Sequence, residues 1–318
     1  MGSDMPLSRI KTAIVIVGPT GSGKTTLSIL LARRLKAEIL SADSRQIYRH
    51  LTIGTAKPTA AERHGIVHHF IDILDPRQEY NAGKYGIEAR KVLDDIRKKG
   101  NNVIVVGGSG LYIKALVDGF FDGPGKDPEI RDRLEHELKQ EGMEGLLRRL
   151  AEVDPASAKT MSAERKARRI VRALEVYYTT GKPLSVHFFE QEHQPMRDVV
   201  MVAPLWERAS LYEHINSRVE SMMKNGFLEE VRWLKSEGYS ATLNAMNTVG
   251  YRELYDHLAG KTTLDEAVRL IKMKTRRFAK RQMTWFRKDG RVRWIPVRSE
   301  EDLEKMAETV LESSGISL

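Results

Sequence analysis

Ala13-Ile14-Val15-Ile16-Val17-Gly18-Pro19-Thr20-Gly21-Ser22-Gly23-Lys24-Thr25 opens on a short apolar run and closes on a glycine-rich turn. Five apolar, largely β-branched residues stopped by glycine read as a strand buried on both faces, the kind a parallel sheet needs because helices cover both of its sides. The turn itself, Gly18 to Thr25, fits the phosphate-loop pattern G-x-x-x-x-G-K-[ST] between a strand and a helix. Its glycines let backbone N–H groups close around an anion at the positive end of the coming helix, and Lys24 adds a point charge. The Thr25 hydroxyl is the candidate ligand for Mg²⁺. Gly18, Pro19, Thr20, Gly21, Ser22, Gly23, Lys24 and Thr25 together are the candidate anion site. A tight turn with a surface lysine is the bland alternative, and the strand before and helix after argue against it.

On either side of this loop the pattern continues. Leu27, Leu30, Leu31 and Leu35 share one helical face, and Ala37 to Leu40 reads as the next strand, ending at Asp43-Ser44. Phe70 to Leu74 reads as another strand, 82–99 as a helix, and Val103 to Val106 as a strand closing on Gly107-Gly108. Strands alternating with helices predict an α/β fold with a doubly wound parallel sheet. After Gly119 the texture changes: Asp127-Pro128-Glu129 starts a helix, Ile130, Leu134 and Leu138 recur at fours, and no strand-like run appears before Val199. The expectation is a phosphate-loop core in two parts, 1–118 and 199–318, with an inserted all-helical domain over 119–198. The second part carries strands at Val199 to Pro204 and Val292 to Val297, helices from near Ser210, Leu228, Tyr251 and Leu264, and a terminal helix, giving a helical C-terminal region.

Length and composition agree. With 318 residues there is material for two compact units. Lys+Arg 52 against Asp+Glu 43 leaves a formal charge of +9, which favours a polyanionic partner such as nucleic acid. The excess is concentrated: Ala267 to Lys288 carries Arg269, Lys272, Lys274, Arg276, Arg277, Lys280, Arg281, Arg287 and Lys288 and no acid. Thr263 and Glu266 form a capping box, and Leu264, Val268, Ile271, Thr275 and Phe278 mark one face, so the bases project from the other sides of a long helix. Phosphate binding explains such a single-signed surface better than solvation, which usually mixes signs. Zero cysteines exclude disulfides, thiolate zinc sites and cysteine nucleophiles, and fit a reducing cytoplasm. No apolar run reaches the span of about 20 residues a membrane helix needs, so no membrane partner is expected. A monomer is the default.

A phosphate loop says which group is held and not which bond breaks. An ATPase normally needs an acid at a strand tip to hold Mg²⁺, yet Val103 to Val106 runs into Gly107-Gly108-Ser109. Ordinary ATP hydrolysis is therefore disfavoured. Asp43, at the carboxyl end of another strand, points to the same crevice and could accept a proton from an attacking nucleophile; from position alone a turn-forming Asp is equally open. His64, His68 and His69 lack the Glu and flanking helix of a zinc hydrolase, so no metal role is assigned to them.

The ordered set GPTGSGKT from Gly18, DSRQIY from Asp43, IGTAKP from Ile53, GGSGLY from Gly107, RALEV from Arg172, VGYREL from Val249 and TRRFAKRQMTWFR from Thr275 resembles the bacterial tRNA dimethylallyltransferase (tRNA isopentenyltransferase) family over nearly the whole chain. The resemblance implies transfer of a dimethylallyl group from dimethylallyl diphosphate to N6 of the adenine 3′ of a tRNA anticodon, with diphosphate as product. It implies that the loop holds the prenyl diphosphate with Mg²⁺ and with Arg208 and Arg218 as a further clamp. Asp43, Ser109 and Lys24 become the candidate catalytic residues, with Asp43 taking the N6 proton. The adenine must leave its stack to react, and Asp43, Ser44, Arg45, Gln46 and Ser109 would lie against it, Ser109 standing where many relatives carry threonine. The remaining tRNA contacts would come from Arg131, Arg168, Arg169 and Arg172 in the insertion, from Thr248, Gly250, Tyr251 and Arg252, and from Lys280, Arg281, Gln282 and Arg287. Where relatives commonly show Asn-Pro-Gln-Arg, this chain reads Arg165-Lys166-Ala167-Arg168-Arg169.

Two other classes compete. A small-molecule kinase shares the loop, the Asp and the glycine-rich strand end, but leaves the arginine-bearing insertion and the basic helix without a use. A non-catalytic RNA-binding module fails to explain Asp43.

Overall fold

The computed structural model describes residues 12–119, 123–125, 127–190 and 195–313. The expected parallel sheet is present. Strands β1 (Ala13–Val17), β2 (Ala37–Ser41), β3 (His68–His69), β4 (Asn102–Gly107), β5 (Val199–Leu205) and β6 (Val292–Pro296) lie in the order β3-β2-β4-β1-β5-β6. Register runs Val15 against Val105 and Met201, and Ile39 against Ile104 and His68. Alternation along each strand splits the core in two. Val15, Val17, Leu40, Val105 and Met201 face one way, and Ile14, Ile16, Ile39, Ile104 and Val202 the other.

Helix α1 (Lys24–Leu35) buries Leu27, Leu31 and Leu35 on the second of these faces, together with Leu303, Met306 and Val310 of the terminal helix, α12 (Glu301–Ser313). Helix α2 (Ala82–Lys98) covers the first face with Tyr85, Ala89 and Leu93, and α3 (Gly110–Asp118) adds Tyr112, Ile113 and Leu116. A separate compact unit spans Asp118–Pro195 and carries α4 (Pro128–Val153, broken at Gly142), α5 (Pro155–Glu164), α6 (Ala167–Thr180) and α7 (Leu184–Glu190) around Leu134, Leu146, Leu150, Ile170 and Leu174. After β5 the chain adds α8 (Arg208–Lys224), α9 (Phe227–Ser236), α10 (Tyr251–Leu258) and α11 (Leu264–Phe286).

Two local expectations need correction. Phe70 to Leu74 is not a strand: the ladder with β2 ends at His69, Phe70 and Asp72 adopt left-handed backbone at φ 63° and 58°, and Leu74 makes only an isolated bridge to Tyr48. Burial of Phe70 against Tyr85 and an ion pair between the buried Lys57 and Asp72 pull the segment out of the sheet. On α11 the expected face does pack on the core through Leu264, Val268 and Ile271, and only its last member departs. Ala267, Ile271, Ala279, Gln282 and Phe286 are buried, whereas Phe278 is exposed along a cleft wall. The capping box is as expected, Thr263 N–H donating to Glu266 Oε2 at 2.9 Å and Glu266 N–H to Thr263 Oγ1 at 3.2 Å.

Candidate active site

The carboxyl ends of β1, β2 and β4 open into one cleft of about 1120 Å³, the crevice position that parallel sheets use for ligands. Residues 20–25 of the loop line it, as do Asp43, Ser44, Arg45 and Gln46 after β2, Gly107 to Tyr112 after β4, and Arg218 of α8. Apolar walls come from Ile215, Val219, Met222, Phe227, Ile271 and Phe278. Anion cradle, carboxylate and apolar surface therefore face a common space.

β4 lies between β1 and β2, so its tip stands between the loop and the Asp43 turn. That tip is bare of side chains for a steric reason. A Cβ on Gly107 would meet the Ala42 carbonyl oxygen at 2.1 Å, and one on Gly108 would meet Gln282 Nε2 at 2.2 Å. Glycine alone allows this approach, and the absence of a strand-end acid follows from packing.

The loop is tied from several sides. Ser22 Oγ and Lys24 Nζ both donate to the Pro19 carbonyl, at 2.9 and 2.6 Å, and Trp206 Nε1 donates to the Ser22 carbonyl at 3.0 Å. Thr20 N–H donates to Gln282 Oε1 at 2.9 Å. Burial drives the Lys24 pKa down to about 7, the Arg218 charge pushes the same way, and Asp43 opposes both. Burial likewise lowers Arg218, against the charges of Asp43 and Glu62. Lys24, Arg218 and Asp43 thus share one electrostatic neighbourhood. A dianion placed there would supply the negative charge that these two cations lack. Thr25 is exposed, and its hydroxyl makes no hydrogen bond to the chain among the described residues.

Asp43 forms the turn that its position allowed and also lines the cleft. Its Oδ1 accepts the amides of Arg45 (2.8 Å) and Gln46 (3.3 Å), so it does form the turn, while Oδ2 makes no hydrogen bond to the chain among the described residues. Ser109 Oγ accepts the Ser44 amide at 2.9 Å and donates to Ser44 Oγ at 3.1 Å, which fixes the turn on the β4 tip. Arg45 Nη1 donates to the Asn244 carbonyl at 2.7 Å, and Gln46 Nε2 to the Thr55 and Ala56 carbonyls at 3.3 and 3.2 Å. Most of the DSRQ segment therefore braces its surroundings. Beside it the Tyr112 ring stacks on Tyr85 at 4.3 Å, and burial raises the Tyr112 phenol so that it stays protonated.

Several sequence candidates lie elsewhere. Arg208 does not line the cleft: it stacks over Tyr212 at 5.2 Å and donates to that hydroxyl, ten residues before Arg218 and so about 15 Å back along α8. Gly250 and Tyr251 are buried, with Tyr251 Oη donating to Glu230 Oε1 at 2.6 Å, so neither offers a surface to RNA; Thr248 lines the cleft and Arg252 is exposed. Gln282 is only 7% exposed, with both ends of its amide engaged. In the helical unit Glu175, at 0% exposure, receives Arg131 at 3.1 Å, Arg172 at 2.9 Å and the Asp127 amide at 3.2 Å. Arg131 and Arg172 therefore neutralise a buried carboxylate. Arg168 and Arg169 are exposed, the latter paired with Glu164.

On α11, Lys272, Lys274 and Arg276 are engaged by Glu220, Glu253 and Asn216. Arg277, Lys280, Arg281, Arg287 and Lys288 remain exposed, and Arg281 lines the cleft. Sequence reasoning missed Glu230, whose carboxylate accepts the Thr52, Ile53 and Gly54 amides at 3.1, 2.7 and 3.3 Å and so holds the IGT turn. It also missed Lys57, whose buried ammonium donates to the Tyr48 carbonyl at 2.8 Å. His69 binds Glu38 and His68 the Ile66 carbonyl; among the described residues no three His, Asp or Glu side chains gather as metal ligands, and no helix is long and apolar enough to cross a membrane.

Residues 46–289 match the family profile described as IPP transferase. Over 290 residues the chain is 48% identical to the tRNA dimethylallyltransferase of Geobacter metallireducens, covering 90% of this chain and 93% of that one. It is 45% identical to the corresponding protein of Pelotomaculum thermopropionicum, with 93% and 94% covered. Among solved structures, the tRNA isopentenylpyrophosphate transferase of Bacillus halodurans aligns with TM-score 0.69 and 35% identity over 96% of this chain and 98% of that one. A eukaryotic dimethylallyltransferase acting on tRNA aligns with TM-score 0.82 and 27% identity, covering 95% and 78%.

Proposed function

The chain belongs to the IPP transferase family, and from that premise we propose that it moves a dimethylallyl group from dimethylallyl diphosphate to N6 of the adenine 3′ of a tRNA anticodon, releasing diphosphate. It is a prenyltransferase of tRNA, and the kinase alternative is set aside. The observation that carries the reading is the common cleft of Lys24, Arg218 and Asp43.

The chemistry divides between the two ends of that cleft. Adenine N6 is a weak nucleophile because its lone pair is delocalised into the ring, whereas an allylic diphosphate ionises readily once its leaving group is stabilised. Lys24, Arg218 and the amides of Gly21 to Lys24 would bind the diphosphate and offset the charge that builds on it as the C–O bond breaks. The apolar wall of Ile215, Val219 and Phe278 suits a five-carbon hydrocarbon tail. Asp43 would accept the N6 proton through Oδ2 as the C–N bond forms. Ser109 serves by fixing the turn that aims Asp43.

Mg²⁺ fits this site as a guest of the diphosphate. The Thr25 hydroxyl is exposed and makes no hydrogen bond to the chain among the described residues, so it is the protein oxygen that would hold the ion beside the diphosphate. When bound, it would add positive charge to the departing diphosphate. For the tRNA, Arg277, Lys280, Arg281, Arg287 and Lys288 form an exposed, single-signed strip beside the cleft, supported by Arg252 and Thr248. Arg168 and Arg169 are, of the insertion arginines singled out from the sequence, the exposed ones. We assign a cytoplasmic monomer as the working form.

Incubation with undermodified tRNA and labelled dimethylallyl diphosphate tests the reading. Label recovered in N6-modified adenosine supports it. ATP turnover on a metabolite without prenyl transfer would refute it.

A further inference from the structure

Gln282 reaches the site from α11 with a side chain that is almost wholly buried. Its Oε1 accepts the Thr20 N–H at 2.9 Å, and its Nε2 donates to the Gly108 carbonyl at 2.9 Å. One carboxamide thereby joins the loop after β1 to the tip of β4, which lie 262 and 174 positions away along the chain. Arg281, its neighbour on the helix, lines the cleft.

We propose that Gln282 is the positioning residue of the diphosphate cradle. It withdraws the Thr20 amide from the set that can meet an anion. It also holds the amides of Gly21 to Lys24 at a fixed separation from the β4 tip, and so from the turn bearing Asp43. The inference rests on the reading that this loop binds a diphosphate.

A neutral carboxamide suits both partners at any ordinary pH, since an acceptor must face Thr20 and a donor must face Gly108. A carboxylate at this position would serve Thr20 but set an anion against the Gly108 carbonyl, and a thioether would serve neither. Loss of the second bond leaves the buried Gly108 carbonyl unsatisfied, and loss of the first frees the half-buried Thr20 amide. Because a Cβ on residue 108 would stand 2.2 Å from Nε2, the brace also requires glycine there.

The test uses the full chain as wild type, Gln282→Glu and Gln282→Met. Inorganic diphosphate binding is measured by calorimetry, tRNA affinity by filter binding, and prenyl transfer by steady-state kinetics. Both variants are expected to raise the Kd for inorganic diphosphate and the KM for dimethylallyl diphosphate by about tenfold or more, with tRNA Kd changed less than about twofold. Gln282→Glu should regain diphosphate affinity relative to wild type as pH falls, because the neutral acid has an O–H to give Gly108; Gln282→Met should not. An unchanged diphosphate Kd overturns the proposal. So does weakened tRNA binding with intact diphosphate binding, which would make Gln282 an RNA contact.

Should either variant fail to fold, amide exchange in the wild type decides. A Thr20 amide that is protected, and that inorganic diphosphate barely shifts while those of Gly21 to Lys24 move, supports the brace. A freely exchanging Thr20 amide, or one that shifts most on adding diphosphate, refutes it. Wild-type protein that binds diphosphate in this way yet transfers no prenyl group would defeat the proposed reaction and leave the role of Gln282 standing.

Discussion

The charge of Asp43 reaches Lys24 across the end of β4, a strand that separates the two strands from which these residues come. Each residue follows a strand of the parallel sheet, so both arrive at the same carboxyl-end crevice. The β4 tip between them carries Gly107 and Gly108, where a side chain would strike Ala42 or Gln282, and the proposed proton acceptor and diphosphate cradle would stand on either side of it.

If Asp43 is the base, Asp43→Asn should keep the turn, because an amide oxygen can still accept the Arg45 and Gln46 N–H groups. The expected result is a fall in kcat of about 10²- to 10⁴-fold with tRNA affinity nearly intact. Single-turnover prenyl transfer with saturating tRNA reads this directly, and unchanged turnover would remove Asp43 from the chemistry.

Lys24 makes diphosphate binding depend on pH. With its pKa lowered to about 7 by burial and by Arg218, the ammonium is present below that value and lost above it. A bound dianion favours the protonated form and raises the pKa. The Lys24 contribution to diphosphate affinity, once the titration of diphosphate itself is allowed for, is therefore full below about pH 7 and declines as pH rises from about 7 toward the raised pKa of the complex. Between these limits binding takes up a proton, which calorimetry in buffers of differing ionisation enthalpy will register as a buffer-dependent heat.

The exposed strip of α11 predicts a salt effect. Lys280→Ala and Arg287→Ala should each weaken tRNA binding and reduce the slope of log K against log salt by about 0.7 to 0.9, without changing diphosphate affinity. An unaltered slope would count against phosphate contacts at these positions.

Glu175 predicts a stability effect in the helical unit. Glu175→Ala strips a fully buried carboxylate from Arg131 and Arg172, whose side chains are 28% and 33% exposed, and should destabilise the unit by about 3 kcal/mol. Arg131→Ala, by contrast, should leave the salt slope of tRNA binding as it is. Chemical unfolding and filter binding separate the two effects.

Much of the fold was legible because its strands are buried on both faces and read as unbroken apolar runs. Phe70 to Leu74 defeated that rule: the same hydrophobicity there serves one buried ring on a left-handed backbone. The anion loop and Asp43 were legible as motifs, but their partners were not. Gln282 acts over hundreds of residues, and Arg208 and Arg218 differ only in position along one helix. Arg172 and Glu175 stand three residues apart in RALEV, a spacing at which helical neighbours meet; that spacing carried a hint of a structural pair which counting positive charges overlooked.

Gly107 and Gly108 also limit where evolution can take this scaffold. The nucleotide-hydrolysing relatives of the fold class plant a metal-holding acid at a strand tip, but at Gly107 any side chain at all would strike the backbone carrying the residue before Asp43. An ancestor or descendant could use one arrangement or the other. A single mutation between them would disturb the turn that carries Asp43 in the act of installing an acid on β4.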